Sequence, residues 1–222
     1  MILIPVKDLS CAKQRLAAVL DQPSRTALAQ AMLHDVLATL HNWKDRPAVA
    51  VVTSDPYAIR LVGDYQFEVI PDPDNPGETG AIEMATRICV DRGVKSTLVI
   101  PADIPLIQSW ELDEILKRAP AEGSVLVPAA DGRGTNAAFR RPANLFPLRF
   151  GNDSFKPHHV SAQATCRPCV VMKLPGIAVD IDNPSDLQQL VSSPGETRAQ
   201  RLAREYAGEG TVHAGTSPAN LP

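Results

Sequence analysis

The sequence lacks a large excess of charge of either sign. Its 22 Lys and Arg against 25 Asp and Glu leave a formal net charge of −3, so the bulk composition excludes neither half of the charge balance and draws in no nucleic acid or anionic membrane. Long apolar runs are missing too: the longest are about six residues, against the roughly 20 that span a bilayer. Cysteine is scarce. Four in 222 residues, Cys11, Cys89, Cys166 and Cys169, are too few for a disulfide framework. The "CRPC" at Cys166 to Cys169 precedes the apolar run "VVMKL" instead of opening a helix after a strand, as a redox pair does. With no second CxxC to complete a zinc site, it reads as a pair of reduced thiols. GxxxxGKS and GxGxxG are both absent, which excludes a P-loop and a dinucleotide fingerprint. The opening "MILIPV" carries no basic leader and reads as a first strand, so the expectation is a cytoplasmic protein.

What is present suffices for one sizeable core: 44% of the 222 residues are apolar. Short β-branched runs alternate with helical patterns. "MILIPV", "AVAVVT" (Ala48 to Thr53), "FEVI" (Phe67 to Ile70), "TLVIPA" (Thr97 to Ala102), "SVLVPA" (Ser124 to Ala129), "NAAF" (Asn136 to Phe139) and "CVVMK" (Cys169 to Lys173) read as strands. Ser24 is the expected cap of a helix whose Leu28, Met32, Leu33, Val36, Leu37 and Leu40 share a face. "ETGAIEMATRICVDRG" ends in Gly93, a natural C′ residue, and "SWELDEILKRA" gathers Leu112, Ile115 and Leu116 on one side. "DNPSDLQQLV" starts with Asn183 as cap and Pro184 at the first helical position. Several strands are apolar on both faces, which predicts a mostly parallel mixed sheet covered by helices on both sides. The fold class is therefore α/β, a single-domain Rossmann-like sandwich in which ligands bind beyond the carboxyl ends of the strands.

After Val191 the chain loses its apolar strands. Residues 192–222 read as a tail, with "ETRAQRLAREYA" as a short charged helix and the last dozen residues disordered. The amphipathic "RAQRLAREYA" is a candidate face for a partner subunit, as in a homodimer.

Aspartates stand where strands end. Asp103 follows the buried run of "VIPADIPL", and Asp180 and Asp182, two apart in "IAVDIDNP", share one face of an extended segment. Oxygen ligands so placed suit Mg²⁺, which takes one or two carboxylates plus substrate phosphates; the competing reading makes them turn and helix caps. Lys7, Lys13 and Arg15 in "PVKDLSCAKQRLA" lie between the first strand and a helix, as an anion site or as solvated surface charge. The run from Asp131 to His159, "DGRGTNAAFRRPANLFPLRFGNDSFKPHH", gathers small polar residues, glycines and cations, as a pocket for an anion does.

"PVKDLSCAKQRLA", "PADIPLI", "DGRGTNAAF", "FGNDSFKPHHVSA" and "VDIDNPSDL" occur in this order. Together they resemble the guanylyltransferase family of coenzyme F420 biosynthesis, which acts on 2-phospholactate, phosphoenolpyruvate or 3-phosphoglycerate. The resemblance runs from about Met1 to Val191, taken as the nucleotidyltransferase domain, and "DGxGTN" with "FGxxSF" is its selective part. It implies a glycosyltransferase-A-like fold and transfer of GMP from GTP to the phosphate of a three-carbon phospho-acid, releasing pyrophosphate. It implies that Thr135, Gly151 and Ser154, with Asn136 of the same motif, bind substrate; that Asp103 and Asp182, with Asp180 beside them, hold Mg²⁺; and that Lys7, Lys13 and Arg15 meet the triphosphate, Lys13 among the catalytic groups. A downstream transferase of the F420 pathway is an implied partner.

A phospho-acid carries phosphate and carboxylate, so hydroxyls of Thr135 and Ser154 and backbone exposed at Gly132, Gly134 and Gly151 fit it, with Lys156, Arg149 or His158 as the balancing cation. His158 and His159 also read as a surface pair. The acceptor phosphate is already ionised, so no general base is needed and catalysis rests on positioning and charge neutralisation. The chain departs from the family pattern at Gly80-Ala81-Ile82, where a "GLN"-like start is usual, and at Asn152 and Asp153, where small residues or Pro are commoner. Altered base recognition or acceptor choice is the expectation, with Asp153 pointing away from the pocket or meeting a cation or an extra acceptor hydroxyl. The competing functions are a nucleotidyltransferase for a sugar phosphate or molybdopterin-type acceptor, whose Gly-rich first loop is absent here, and a non-catalytic nucleotide-binding module.

Overall fold

A computed structural model describes residues 1–74, 77–151 and 153–213 of the chain. Its elements run β1 (Ile2–Pro5), α1 (Gln22–Asn42), β2 (Val49–Thr53), α2 (Pro56–Asp64), β3 (Glu68–Pro71), α3 (Glu78–Asp91), β4 (Thr97–Val99), α4 (Ser109–Arg118), β5 (Gly123–Pro128), β6 (Thr135–Arg141), α5 (Phe155–Ala164), β7 (Cys169–Val171), α6 (Pro184–Ser192) and α7 (Arg198–His213). Each apolar run read as a strand forms one. The sheet order is β3-β2-β1-β4-β6-β5-β7. β1 pairs in parallel with β2 and β4, β2 with β3, and β5 with β7, while β6 runs antiparallel to both β4 and β5.

Strand residues alternate between two cores because successive side chains point to opposite faces. Ile2, Ile4, Val49 and Val51 join α1, through Leu28, Met32, Leu33, Val36, Leu37 and Leu40, in the larger one. Leu3, Ala50 and Val52 meet Ala81, Ile82, Ala85 and Cys89 of α3 and Ala162 of α5 on the other side. Burial on both faces is the condition for a parallel sheet, and helices cover both sides as expected. Ile82, where an altered nucleotide contact was expected, is 1% exposed and packed in this second core.

Several local details differ from the sequence reading. The cap of α1 is Asp21, whose carboxylate accepts from Ser24 N at 2.9 Å; Pro23 fits the first turn, so the helix begins before Ser24. α2 was not anticipated: Asp55 Oδ1 accepts from Ala58 N at 2.8 Å and Pro56 opens a helix of nine residues, shorter than the window over which periodicity is read. α5 was not anticipated either; it starts after Ser154 and accommodates Pro157 in its first turn. Gly93 sits at φ 74 just beyond α3, as its C′ role requires. Asn183 caps α6 and its capping box is closed by Asp186, which accepts from Asn183 N at 3.0 Å.

The helix expected in the tail is α7, and it is docked. Ala199, Gln200 and Ala203 are fully buried, and α7 packs against α1 and α6. The apolar face proposed for a partner subunit is thus spent on the chain's own helices. Asp35 of α1 supplies the cap, Oδ1 accepting from Arg198 N at 3.0 Å and Oδ2 from Ala199 N at 2.8 Å. Asp35→Ala is expected to cost about 1–2 kcal/mol in urea unfolding, with amides of α7 exchanging faster than those of β1. The disorder expected for the last dozen residues does not hold for 211–213, which continue α7 to His213; residues from 214 onward lie outside the described residues, as does Asn152.

Candidate active site

The neighbours of β1 are β2 on one side and β4 on the other, so the chain reverses its direction of winding between β1 and β4. Segments leaving two such strands diverge and open a crevice. Lys7, Lys13 and Arg15 follow β1 and Asp103 follows β4. β6 is antiparallel, so its beginning, not its end, lies at this rim; that brings Thr135 and Asn136 to the same place.

The loop after β1 is pinned by Asp55, whose Oδ2 accepts from Leu9 N at 3.0 Å. Lys13 stands between short 3-10 turns at Leu9–Cys11 and Gln14–Leu16 with φ 56, a left-handed conformation uncommon for a residue with a side chain. Its ammonium is turned inward, 2.5 Å from Asp103 Oδ2 and 2.8 Å from Asp182 Oδ1. Burial works against that charge, but the carboxylates of Asp103 and Asp182 outweigh it and hold the amine above its ordinary value. For Asp182, burial raises the carboxyl while Lys13, then Arg15 at 3.5 Å, more than offset it, leaving it below its ordinary value.

Three anchors place the segment after β7. Glu111, fully buried at the start of α4, accepts from Gly176 N at 2.7 Å. Ile181 N donates to Asp103 O at 3.1 Å, tying the two aspartate-bearing segments together. Asp186 Oδ2 accepts from Asp182 N at 2.9 Å. Asp103 and Asp182 therefore converge on one ammonium. Asp180 lines the same cavity: burial, and further the charges of Asp103 and Asp182, raise its carboxyl, and Oδ1 accepts from Asn136 Nδ2 at 2.9 Å. The same amide nitrogen reaches Ile177 O at 3.0 Å, so Asn136 spends its donors on positioning Asp180. Among the described residues no three His, Cys, Asp or Glu are grouped to hold a metal ion; the carboxylates that converge on Lys13 are those of Asp103 and Asp182. These two still fit Mg²⁺, which needs only one or two, and Asp103 Oδ1 is a buried acceptor without a hydrogen-bond partner.

Lys7 turns away from this pair to Asp72 Oδ2 at 2.6 Å. Glu78, at the start of α3, is a residue the sequence reading took only as a helix beginning. It lines the main cavity beside Asp103, and burial, with the charge of Asp103, pushes its carboxyl up to about 7. Such a group holds its proton more tightly when folded. Its stabilisation is full below its unfolded value near 4.5 and is lost as pH rises through about 7. Folding stability is expected to carry a downward slope across that window that Glu78→Gln flattens, read from urea midpoints at successive pH values.

The main cavity, about 540 Å³, runs from Asp103, Asp180 and Asp182 to Thr135, Gly151 and Ser154, with Arg15 and Arg133 among its walls. Ser154 Oγ accepts from Thr135 N at 3.1 Å, and Phe155 N donates to Arg133 O at 2.8 Å, which seats α5 against β6. Gly151 has φ 127, a conformation open to glycine. Of the balancing cations read from sequence, Lys156 and Arg149 are exposed and outside the cavity lining, and His158 is 1% exposed with its imidazole pushed down to about 4 by burial, then by Arg140. His158 is thus a neutral interior group, neither a cation nor half of a surface pair. Asp153 meets a cation, Arg133, at 3.7 Å. Cys166 is exposed, Cys169 half-buried, and both are free thiols.

Comparison with known proteins adds to this geometry. The profile of the family described as guanylyl transferase CofC like matches residues 1–210. A phosphoenolpyruvate guanylyltransferase from Roseiflexus castenholzii is 35% identical, over 92% of this chain and 93% of the relative. A 3-phospho-D-glycerate guanylyltransferase from Colwellia psychrerythraea is 33% identical over 91% and 97%, and a 2-phospho-L-lactate guanylyltransferase from Methanothermobacter thermautotrophicus 29% over 91% and 89%. Among solved structures, a Desulfovibrio desulfuricans G20 protein assigned as a nucleotide-diphospho-sugar transferase superposes with TM-score 0.76 at 18% identity, covering 93% of this chain and 94% of that one. A CMP:2-keto-3-deoxy-manno-octonic acid synthetase complexed with CTP gives 0.57 at 14%, covering 92% and 98%. At those identities the structures speak to the fold alone.

Proposed function

Because the chain belongs to the guanylyl transferase CofC-like family, and is a nucleotidyltransferase, we propose that it moves GMP from GTP to the phosphate of a three-carbon phospho-acid, releasing pyrophosphate, in coenzyme F420 biosynthesis. One observation carries the reading. A single cavity joins two carboxylates, themselves converging on the inward ammonium of Lys13, to a pair of hydroxyls beside a glycine. The nucleotide and the acceptor are both anions, and this arrangement sets a charge-handling end against an anion-gripping end.

Asp103 and Asp182 are the residues that would hold Mg²⁺, and the ion supplies charge neutralisation between the two phosphates when bound. Lys13 and Arg15 flank the carboxylates where a triphosphate would lie. Asn136 and Glu111 keep the aspartate segment in place. Thr135, Ser154 and the Gly151 backbone present the acceptor, whose phosphate oxygen attacks the α-phosphorus in line. That oxygen is ionised at neutral pH, so no residue has to remove a proton, and the chain's part is orientation and electrostatics. Relatives named for three different acids support a three-carbon phospho-acid as the class. Among the described residues no helix is long and apolar enough to cross a membrane, and the reading takes the cytoplasm as the place of reaction.

The test is direct. The protein is incubated with GTP or ATP, Mg²⁺ and each of phosphoenolpyruvate, 3-phosphoglycerate and 2-phospholactate; pyrophosphate is assayed and the product weighed by mass spectrometry. A GMP adduct of one acid upholds the proposal. Absence of pyrophosphate with all three, or an AMP adduct formed in preference, overturns it.

A further inference from the structure

Both hydroxyls of the acceptor end are already in use inside the protein, and in the same sense. Ser154 Oγ accepts from Thr135 N. Thr135 Oγ1 lies 2.9 Å from His158 Nδ1, and Arg149 N donates to His158 Nε2 at 2.7 Å. A backbone N–H can only donate, so Nε2 must present its lone pair. The ring's proton is then on Nδ1 and is donated to Thr135. An imidazolium would set two N–H groups against each other at Arg149; burial, and after it Arg140, keep the ring neutral.

A hydroxyl that already accepts keeps its one proton for another partner. Thr135 and Ser154 line the cavity, where that partner is whatever anion enters. The ring itself is fixed from a second side: Phe150 packs edge-on at 5.3 Å between centroids. Phe150 N in turn donates to Thr79 Oγ1 at 2.9 Å, tying the segment to α3. One imidazole thus joins the hydroxyl on β6 to the backbone that leads into Gly151.

We propose that His158 is a positioning residue: through its Nδ1–H it commits the Thr135 hydroxyl to donating toward an anionic oxygen of the acceptor, and through Nε2 it holds the Arg149–Gly151 backbone beside that oxygen. The proposal rests on the reading of the cavity as an acceptor site. His158 touches no substrate and acts through Thr135.

His158→Met removes the Nδ1 donor, since a thioether has no proton to give Thr135 and keeps only a weak acceptor toward Arg149 N. With whichever of the three acids is turned over, His158→Met is expected to raise KM for the acid about tenfold and leave KM for GTP unchanged. Thr135→Ala is expected to do the same, and the double variant no worse than Thr135→Ala alone. A multiplicative effect in the double variant, or a parallel rise in KM for GTP, overturns the proposal. Imidazole ¹⁵N shifts of the unaltered protein test it without activity or a variant: Nδ1 protonated and Nε2 bare upholds it, and a proton on Nε2 overturns it. If no acid is turned over, the proposed function fails and the tautomer alone decides His158.

Discussion

Asp103→Asn is expected to lower turnover by about 10²–10³-fold while the protein melts close to its usual temperature. The loss follows from charge. Asp103 and Asp182 share one ammonium, and replacing one carboxylate by an amide halves the negative charge available to a cation brought between two repelling phosphates. The amide also puts a donor group where a carboxylate oxygen faced Lys13. Stability should survive because Asp103's carboxylate has Lys13 as its ion-pair partner, and Asp182 remains to neutralise that lysine. Tethering of the loop is a backbone matter, through Ile181 N to Asp103 O. Steady-state pyrophosphate release beside a thermal melt checks both halves. Turnover within threefold of the unaltered protein would remove Asp103 from the chemistry, on a scale where about 1.4 kcal/mol is tenfold.

Lys13→Met should be as damaging to turnover, by about 10²-fold or more, and distinct in its effect on stability. The lysine side chain is 9% exposed and balances two carboxylates that are 26% and 38% exposed. Removing it leaves those charges facing each other, a loss of about 2 kcal/mol, below the roughly 3–5 kcal/mol of a broken buried pair because both carboxylates reach solvent. Millimolar Mg²⁺ should restore most of that loss in the variant and add much less to the unaltered protein, where the ammonium already sits between the carboxylates. Urea unfolding with Mg²⁺ or with a chelator measures it. Equal response of the two proteins to Mg²⁺ would mean that Asp103 and Asp182 do not form a cation site.

Much of the frame was legible because it follows from periodicity. Apolar runs such as "AVAVVT" and "TLVIPA" announce strands buried on both faces, and Leu28 to Leu40 announces one helical stripe. Asp103 and Asp182 were readable for a related reason: strand ends in such a sheet collect at one rim. What stayed hidden depends on contacts distant in sequence. Glu78 looks like an ordinary first-turn acid, and only the crossing of α3 over the rim sets it beside Asp103. His158 could be a cation or a surface group until α5 turns it inward to meet Thr135, 23 residues earlier. The docking of α7 was hidden similarly, because its cap, Asp35, lies 163 residues before Arg198. Small residues such as Ala199 and Ala203 give little hydrophobic signal, though both are completely enclosed.

The reversed direction of β6 has a bearing on how acceptor preference can drift. Val99 faces Ala138 in the ladder between β4 and β6, so the span from Asp103 to Asn136 is fixed by hydrogen-bonded register, and slipping it by two residues would move the groups about 7 Å apart. Chemistry is bolted to the sheet. Arg149, Phe150 and Gly151 stand outside it, held through His158 and Thr79, and can be reshaped without moving either carboxylate. A lineage that trades one phosphorylated acid for another therefore has a place to make the exchange at small cost, and it is a loop rather than a strand.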